Sequence, residues 1–173
     1  MKNGKLIVIA APSGSGKTTI VKNLISDKSL NLGFSVSATS REKRKNEIDG
    51  KDYYFLSKGE FKEKINLNEF VEWEEVYDNT FYGTLKSEIN DLNNLGKNLI
   101  FDIDAIGGLS IKKEFPESTL TVFICPPSLE ELENRLRKRG TDSEEKIKIR
   151  LSKASKEMSM SMLYDYAIEN HNL

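Results

Sequence analysis

A glycine-rich segment near the start of the sequence has the residue types that phosphate binding requires. It reads Ala11-Pro12-Ser13-Gly14-Ser15-Gly16-Lys17-Thr18. Gly14 and Gly16 let the backbone curl so that successive amide groups point at phosphate oxygens. Lys17 can neutralise β- and γ-phosphate charge, and the Thr18 hydroxyl is placed to ligate Mg²⁺, mostly together with nucleotide and water oxygens. The segment predicts a nucleoside triphosphate site, although Ala11 stands where the strict pattern has glycine.

A second group of residues, in the middle of the chain, is suited to holding a small dianion. Arg41 and Arg44 closely follow Ser37, and Tyr53 comes a few residues later, so two guanidinium groups and two hydroxyls are available. An arginine grips a phosphate through two hydrogen bonds at once, which a lysine cannot do. The group therefore predicts a site for a small dianion such as a monophosphate.

The arginines of the chain are few and clustered. Of the 26 Lys and Arg residues only six are Arg, and all six lie in residues 41–44 or 135–150. This clustering favours a phosphate-binding role for both segments. For any single arginine the alternative is a solvated surface charge, and residues 134–150 are also compatible with a basic helix that touches RNA.

Strands and helices alternate around these motifs, which predicts a parallel α/β core with right-handed crossovers. Strands are predicted at residues 5–10, 34–39, 53–56, 70–77, 81–84, 98–103, 119–125 and 166–169, and helices at 17–25, 60–65, 85–95, 129–138 and 143–159. The short strands and the hairpin between residues 34 and 84 interrupt the alternation. We interpret that stretch as an inserted subdomain.

Length and composition narrow the possible functions. The 173 residues suit one domain, and 38% hydrophobic with 31% charged residues is typical of a soluble globular protein. A balance of 26 basic and 27 acidic residues argues against a dedicated nucleic-acid binder, and a single cysteine excludes an internal disulfide. No apolar run is long enough to span a membrane. We expect a cytoplasmic protein that has neither a nucleic-acid partner nor a membrane segment.

Across essentially the whole chain, the sequence resembles guanylate kinases. The similarity rests on APSGSGKT, on the spacing SxxxRxxRxxExxGxxY that begins at Ser37, and on FVEW, FYGT, FDID, PPS, RLRKRGTDSEE and YDYAIEN. It implies a P-loop NTPase-type parallel sheet flanked by helices, with an inserted mixed β/α NMP-binding subdomain and a short helical lid. The implied reaction transfers the γ-phosphoryl of ATP to GMP or dGMP, with Mg²⁺ as cofactor, as a step of purine nucleotide metabolism. The resemblance leaves open whether the protein is a monomer or a homodimer.

The resemblance also assigns residues to each part of the site. ATP contacts are expected from Ala11, Pro12, Ser13, Gly14, Ser15, Gly16, Lys17, Thr18, Thr19 and Asn170. GMP contacts are expected from Ser37, Arg41, Arg44, Glu47, Tyr53, Glu72, Tyr82, Gly83, Thr84, Asp102 and Asp104. Catalytic roles are expected for Lys17, Arg41, Asp102, Arg135, Arg139 and Arg150, whereas Arg137 has no such counterpart.

Within the acceptor set the implied roles differ. The GMP phosphate would be held by Ser37, Arg41, Arg44, Tyr53 and Tyr82, with Glu47 bracing the arginines, while Glu72, Thr84 and Asp104 would read the guanine. Guanine presents N1–H and N2–H₂ donors that suit carboxylate acceptors, whereas adenine has an acceptor at N1. Asp102 is expected to orient the acceptor phosphate or the water molecules around the ion.

The resemblance divides the single domain, residues 1–173, into three parts. These are a core of residues 1–33, 85–134 and 157–173, a GMP-binding subdomain of residues 34–84, and a lid of about residues 135–156 that includes Gly140, Thr141 and Asp142. The alternatives are an inactive guanylate-kinase-like binding module, or a P-loop kinase for AMP, thymidylate or a sugar phosphate.

Several residues have structural interpretations as well. Trp73 is expected in the core, and Glu74 and Glu75 on a solvated strand face. Asp102 and Asp104, at alternate positions, are expected to share one face of a strand, which a purely structural strand rarely has. His171, the only histidine, is expected at the surface.

Overall fold

A five-stranded parallel sheet forms the centre of the computed structural model, which describes residues 4–77, 79–140 and 142–172. Across the sheet the strands are β2 (Leu32–Phe34), β7 (Asn98–Ile103), β1 (Leu6–Ala10), β8 (Thr119–Cys125) and β9 (Tyr166–Glu169). Every described pairing in it is parallel. The carboxyl ends of β1 and β7 therefore lie side by side, where ligands of such sheets bind.

A second, four-stranded sheet carries the predicted acceptor residues. Its order is β4 (Tyr54–Phe55), β3 (Ala38–Thr39), β6 (Thr80–Leu85) and β5 (Phe70–Tyr77). The pair β5–β6 is the antiparallel hairpin expected from the sequence, and Asp78 of its predicted tip lies outside the described residues. The predicted division of the domain into three parts stays a prediction.

Six α-helices are present in the described ranges. They are α1 (Lys17–Ser26), α2 (Lys58–Asn66), α3 (Lys86–Asn94), α4 (Ala105–Glu114), α5 (Leu129–Arg139) and α6 (Glu144–Ser159). Serines begin three of them: the hydroxyls of Ser57, Ser128 and Ser143 accept the backbone amides of Glu60, Glu131 and Lys146. None of the described helices has the length and apolar character needed to cross a bilayer.

Each part that carries site residues has apolar packing of its own. Val8, Leu99, Phe101 and Phe123 centre the core of the large sheet. Under the small sheet the ring of Phe61 stacks on Phe70 and Phe81, with centroids 4.4 and 5.5 Å apart. A further cluster, built on Leu132, Leu136 and Ile147, joins α5 to α6.

The structure corrects two elements of the prediction. The single strand expected at residues 34–39 is two strands in different sheets, because the backbone changes partners between them. The amide of Ser35 still donates to Ile100 of the large sheet, that of Val36 donates to the Glu88 carboxylate, and the carbonyl of Ser37 accepts from Tyr54 of the small sheet.

The second correction is α4, which the sequence prediction lacked. Two successive glycines concealed it, since glycine is unfavourable inside a helix. Close packing explains their presence: a Cβ on Gly108 would stand 2.5 Å from the Tyr164 hydroxyl. Asp104 caps this helix, so it follows β7 rather than sharing a strand face with Asp102. The remaining predicted strands and helices are confirmed to within three residues at each end, and the α/β fold class is confirmed.

Candidate active site

The loop between β1 and α1 has the backbone conformation expected of a phosphate-binding loop. Gly14 and Gly16 have φ angles of 101° and 89°, a region that residues with a Cβ rarely adopt. Helix α1 begins directly after Gly16, so its free amide groups face the loop. A Cβ on Gly14 would also approach Leu132 and Leu136 of α5 to 3.1 Å. The glycines therefore serve both the loop and its packing.

The ends of β1 and β7 bring Lys17 and Thr18 to Asp102. The Lys17 ammonium forms an ion pair with the Asp102 carboxylate and donates to the Ile103 carbonyl at 2.8 Å. The Thr18 hydroxyl lies 3.4 Å from the second oxygen of Asp102. Because parallel pairing aligns these strand ends, the sequence motif and the aspartate meet although 84 residues separate Thr18 from Asp102.

The C-terminal segment holds the loop from the other side. The Asn170 amide donates to the Ser15 carbonyl at 2.8 Å. Arg135 is buried, pairs with Glu131 and donates to the carbonyls of Asn170 and His171 at 3.0 and 3.1 Å. Its Nη1 is buried without a hydrogen-bond partner among the described residues. Asn170 is thus placed as a support of the loop, and Arg135 keeps a donor beside the cleft.

Two further arginines of the predicted lid converge on one carboxylate. Arg139 and Arg150 contact the two oxygens of Asp142 at 2.7 and 3.2 Å, and Arg150 also reaches the Ser13 hydroxyl. These contacts lower the pKa of Asp142 against the opposing effect of burial. Arg137 instead pairs with Glu133 and Glu144 at an exposed position away from the cleft, and Thr141 lies outside the described residues.

A cleft of about 1180 Å³ connects this region to the small sheet. We call its two halves the donor end and the acceptor end. The donor end comprises residues 11–18 and the three lid arginines Arg135, Arg139 and Arg150, and the acceptor end lies on the small sheet. At the acceptor end, four polar side chains expected to hold the GMP phosphate line the cleft: Ser37, Arg44, Tyr53 and Tyr82. Gly83 lines it as well, and a Cβ there would lie 2.7 Å from the Glu72 carbonyl.

Arg41 does not line the cleft in this structure. Its guanidinium forms two hydrogen bonds with the Glu47 carboxylate, of 2.5 and 2.7 Å, and lies 5.0 Å from the centre of the Tyr53 ring. Glu47 also accepts the Arg44 amide at 2.8 Å, and the Arg41 contact lowers the pKa of Glu47 to about 2. Glu47 therefore links the Arg41 side chain to the backbone at Arg44, and its predicted role in GMP binding stays a prediction.

Glu72, which is expected to read the guanine, is a nearly desolvated carboxyl group. Its side chain accepts the Thr84 hydroxyl at 2.6 Å, and the residue is only 9% exposed. Burial raises the pKa of Glu72 to about 7, a change that the Thr84 hydrogen bond opposes. Its other oxygen lies against α4, where a Cβ on Gly107 would stand 2.8 Å away. The group is thus fixed in place by a hydroxyl and by the space that Gly107 leaves.

Asp104 faces the same region from the start of α4. Its Oδ1 accepts the amides of Ile106 and Gly107, both at 2.9 Å. Burial alone would raise the pKa of Asp104, but the Glu74 side chain, the Gly107 amide and nearby lysines together lower it. Asp104 is therefore held in place by the helix that the sequence prediction lacked.

The structural interpretations of four residues have mixed outcomes. Trp73 is 47% exposed, so its expected place in the core is wrong. Glu74 is half-buried against Asp104, so its expected place on a solvated face is also wrong, whereas Glu75 is exposed as expected. His171 is exposed and pairs with Glu169, as expected of a surface residue. Because alternate residues of a strand point to opposite faces, the sequence of β5 already indicated that Glu72 and Glu74 share one face and that Trp73 and Glu75 share the other.

The fold and the cleft define the class of protein: a nucleotide-binding α/β protein with a P-loop between the first strand and the first helix. Comparison with known sequences gives the family, since the family model for guanylate kinase matches residues 3–173. The chain belongs to the guanylate kinase family. This confirms the resemblance drawn from the sequence.

Individual relatives agree over nearly the whole chain. A guanylate kinase of Porphyromonas gingivalis is 53% identical over 169 residues, which cover 98% of this chain and 90% of that protein. One from Bacteroides fragilis is 49% identical, with coverage of 98% and 82%. A crystal structure of guanylate kinase from Anaplasma phagocytophilum has a TM-score of 0.77 at 32% identity and covers 99% of this chain and 79% of that one.

Proposed function

We propose that the protein transfers the γ-phosphoryl group of ATP to GMP, giving ADP and GDP. The observation that carries this proposal is that one continuous cleft has the P-loop at one end and the buried Glu72 with Thr84 at the other. Two nucleotides bound at these ends would meet between Lys17 and Arg44. The family membership supports the same reaction.

The acceptor end favours guanine over adenine. A Glu72 carboxylate can accept the N1–H and N2–H₂ donors of guanine, but it would face a lone pair at N1 of adenine. Because Glu72 is nearly desolvated, a mismatched base leaves buried polar groups unpaired, which disfavours it by about 1–3 kcal/mol for each group. Asp104 adds a second acceptor from α4. The preference therefore rests on hydrogen bonds rather than on shape.

The donor end neutralises the negative charge of the ATP phosphates. Lys17 would contact the β- and γ-phosphates, and Arg135, Arg139 and Arg150 line the same cleft. Thr18 would hold a Mg²⁺ ion together with phosphate and water oxygens, and the ion would supply further neutralisation of phosphate charge. Among the described residues no cluster of His, Cys, Asp and Glu side chains could hold a metal ion by itself.

We further propose that residues of about 135–156 act as a lid. Arg150 already contacts the Ser13 side chain of the P-loop, and it shares Asp142 with Arg139, so a small movement would bring both arginines to a phosphoryl group in transfer. Closure would exclude water, which otherwise takes the phosphoryl group. The cytoplasmic location and the choice between monomer and homodimer stay predictions.

The test is steady-state ADP production from Mg·ATP with GMP, dGMP, AMP, UMP and TMP offered separately as acceptors. We expect strong turnover with GMP, weaker turnover with dGMP and none with the others. Preferred turnover of another acceptor would overturn the guanine assignment. If GMP binds in calorimetry but no acceptor is phosphorylated, the protein is a binding module instead.

A further inference from the structure

Glu74 occupies an unusual place for a carboxyl group. It lies two residues after Glu72 on β5 and pairs across the hairpin with Tyr82, so the side chains of all three residues lie on the same side of the small sheet. Its Oε2 is buried and has no hydrogen-bond partner among the described residues. Helix α4, which begins after Asp104, packs against β5, and the Glu74 and Asp104 carboxyl groups lie close enough for each to shift the pKa of the other. Two carboxyl groups in such contact cannot both be ionised without strong repulsion.

The surroundings decide which of the two carries a proton. Asp104 accepts two backbone amides and is close to Lys17 and Lys153, all of which stabilise its negative charge. Glu74 has no such amides, and burial, Asp104 and Glu157 all raise its pKa, opposed only by Lys153. With Glu72 and Tyr82 on its own sheet, the groups around Glu74 are mostly anionic or neutral. The proton therefore belongs on Glu74.

We propose that Glu74, as a carboxylic acid, donates a hydrogen bond to Asp104 and thereby positions Asp104 to read the guanine of GMP. The two capping amides occupy Oδ1 of Asp104, so Oδ2 is the oxygen left for the Glu74 hydroxyl and for a donor of the base. Glu74 is a positioning residue in this account, since it acts through Asp104. The inference rests on the proposed role of Asp104 in guanine recognition.

The contact also crosses between two parts of the fold. Glu74 belongs to the small sheet, whereas Asp104 begins a helix packed on the large sheet. Ionisation of Glu74 would replace a hydrogen bond between these parts by repulsion, which moves Asp104 away from the base. The affinity for GMP should therefore fall when Glu74 loses its proton.

The test is the dissociation constant of GMP, measured by calorimetry between pH 6 and 8.5 for the wild type and for Glu74→Gln. Ionisation of Glu72 makes binding stronger as the pH rises through about 7, and ionisation of Glu74 then makes it weaker. We expect the wild type to show both limbs. Glu74→Gln, whose amide can still donate to Asp104, should keep the rising limb and lose the falling one, with an advantage of about tenfold at pH 8.5.

Three variants complete the experiment. The titration of GMP itself affects both proteins equally, so it cancels in the ratio of the wild-type to the Glu74→Gln dissociation constant at each pH. Glu75→Gln, on the exposed face, should have the wild-type dissociation constant at every pH. Glu74→Ala, which can donate nothing, should bind GMP more weakly than Glu74→Gln at pH 7. Identical pH profiles for the wild type and Glu74→Gln would overturn the proposal. If Asp104→Asn binds GMP as the wild type does, the role of Asp104 itself is wrong, and the proposal falls with it.

A spectroscopic measurement on the free protein tests the proton directly. The Glu74 carboxyl carbon, assigned by its absence in Glu74→Gln, should titrate above the ordinary carboxyl range in ¹³C NMR. In Asp104→Asn it should titrate at lower pH, because the neighbouring charge is gone. A Glu74 resonance that titrates with the exposed glutamates, near pH 4.3, would refute the proposal even if GMP binding changed in every variant.

Discussion

The donor end of the cleft presents charges that already have partners, whereas the acceptor end buries carboxyl groups that have few. Lys17 is paired with Asp102, and Arg139 and Arg150 share Asp142. Glu72, in contrast, has one hydroxyl partner and almost no solvent. A cation that is paired with a carboxylate can exchange that anion for a phosphate, which suits phosphates of any nucleotide. A desolvated carboxyl is satisfied only by a ligand with the right donors, so it can select a base.

The largest effect is expected at the donor end. Lys17→Met should lower kcat for ADP production by about 10³-fold, since the lysine stabilises charge that develops during transfer. GMP affinity measured by calorimetry should remain nearly unchanged, because Lys17 is at the other end of the cleft. Near-normal turnover of this variant would contradict the role of Lys17, and a parallel loss of GMP affinity would contradict the separation of the two ends.

Glu72→Ala should have the opposite effect to Lys17→Met, because it should weaken GMP binding at the acceptor end and leave the donor end intact. We expect the KM for GMP to rise by about 10–100-fold, because a charge-assisted hydrogen bond in a desolvated site is lost. Discrimination against AMP should weaken, while the KM for ATP changes little. These values come from the same steady-state assay, and unchanged GMP affinity and selectivity would remove Glu72 from the base-reading site.

Stability should report the desolvation of Glu72 directly. Its pKa is higher in the folded protein than its ordinary value of 4.5, so the protonated carboxyl favours folding below pH 4.5 and this contribution is lost as the pH rises through about 7. Relative to the wild type, Glu72→Gln should therefore gain up to about 3 kcal/mol of unfolding free energy between pH 4.5 and pH 8. Urea unfolding at the two pH values measures this, and an equal difference at both would show that Glu72 titrates normally.

A smaller effect is expected from a methyl group placed behind Glu72. Gly107→Ala puts a Cβ 2.8 Å from the present position of a Glu72 oxygen, so the carboxyl must shift and the KM for GMP should rise severalfold. Gly59→Ala in α2 is the matched control, since nothing but a serine oxygen at 3.9 Å is near its Cβ. It should stabilise the helix slightly and leave the KM unchanged. Equal KM values for the two variants would show that Glu72 is not confined by α4.

The two ends also differ in how far the sequence predicts them. The donor end is local: residues 11–18 follow one strand, and parallel pairing alone brings Asp102 beside them. The acceptor end depends on tertiary packing. The alternation along β5 was sufficient to place Glu74 with Glu72 and Trp73 outside, but the expectation that large aromatics are buried and paired carboxylates are solvated overrode it.

Other parts of the site could not be predicted from the local sequence. Helix α4 holds Asp104 in place, yet its two glycines make sense only beside Glu72 and Tyr164, residues that are distant in the chain. The burial that raises the pKa of Glu72 likewise comes from α4 and the small sheet together. Arg139 and Arg150 can both contact Asp142 only because α5 and α6 pack at a particular angle. The spacing of residues in the sequence does not predict that angle.

The place where the chain leaves the large sheet has a mechanical consequence. Between β2 and β3 the backbone is held by Glu88, whose two carboxylate oxygens accept the Val36 amide and the Tyr54 hydroxyl, each at 2.9 Å. A buried side chain on α3 thus stands where a neighbouring strand would otherwise be. No ladder of strand hydrogen bonds runs through this point, so it can serve as a pivot. The small sheet, with the acceptor end, can turn about the Glu88 carboxylate while the strand registers of both sheets stay unchanged.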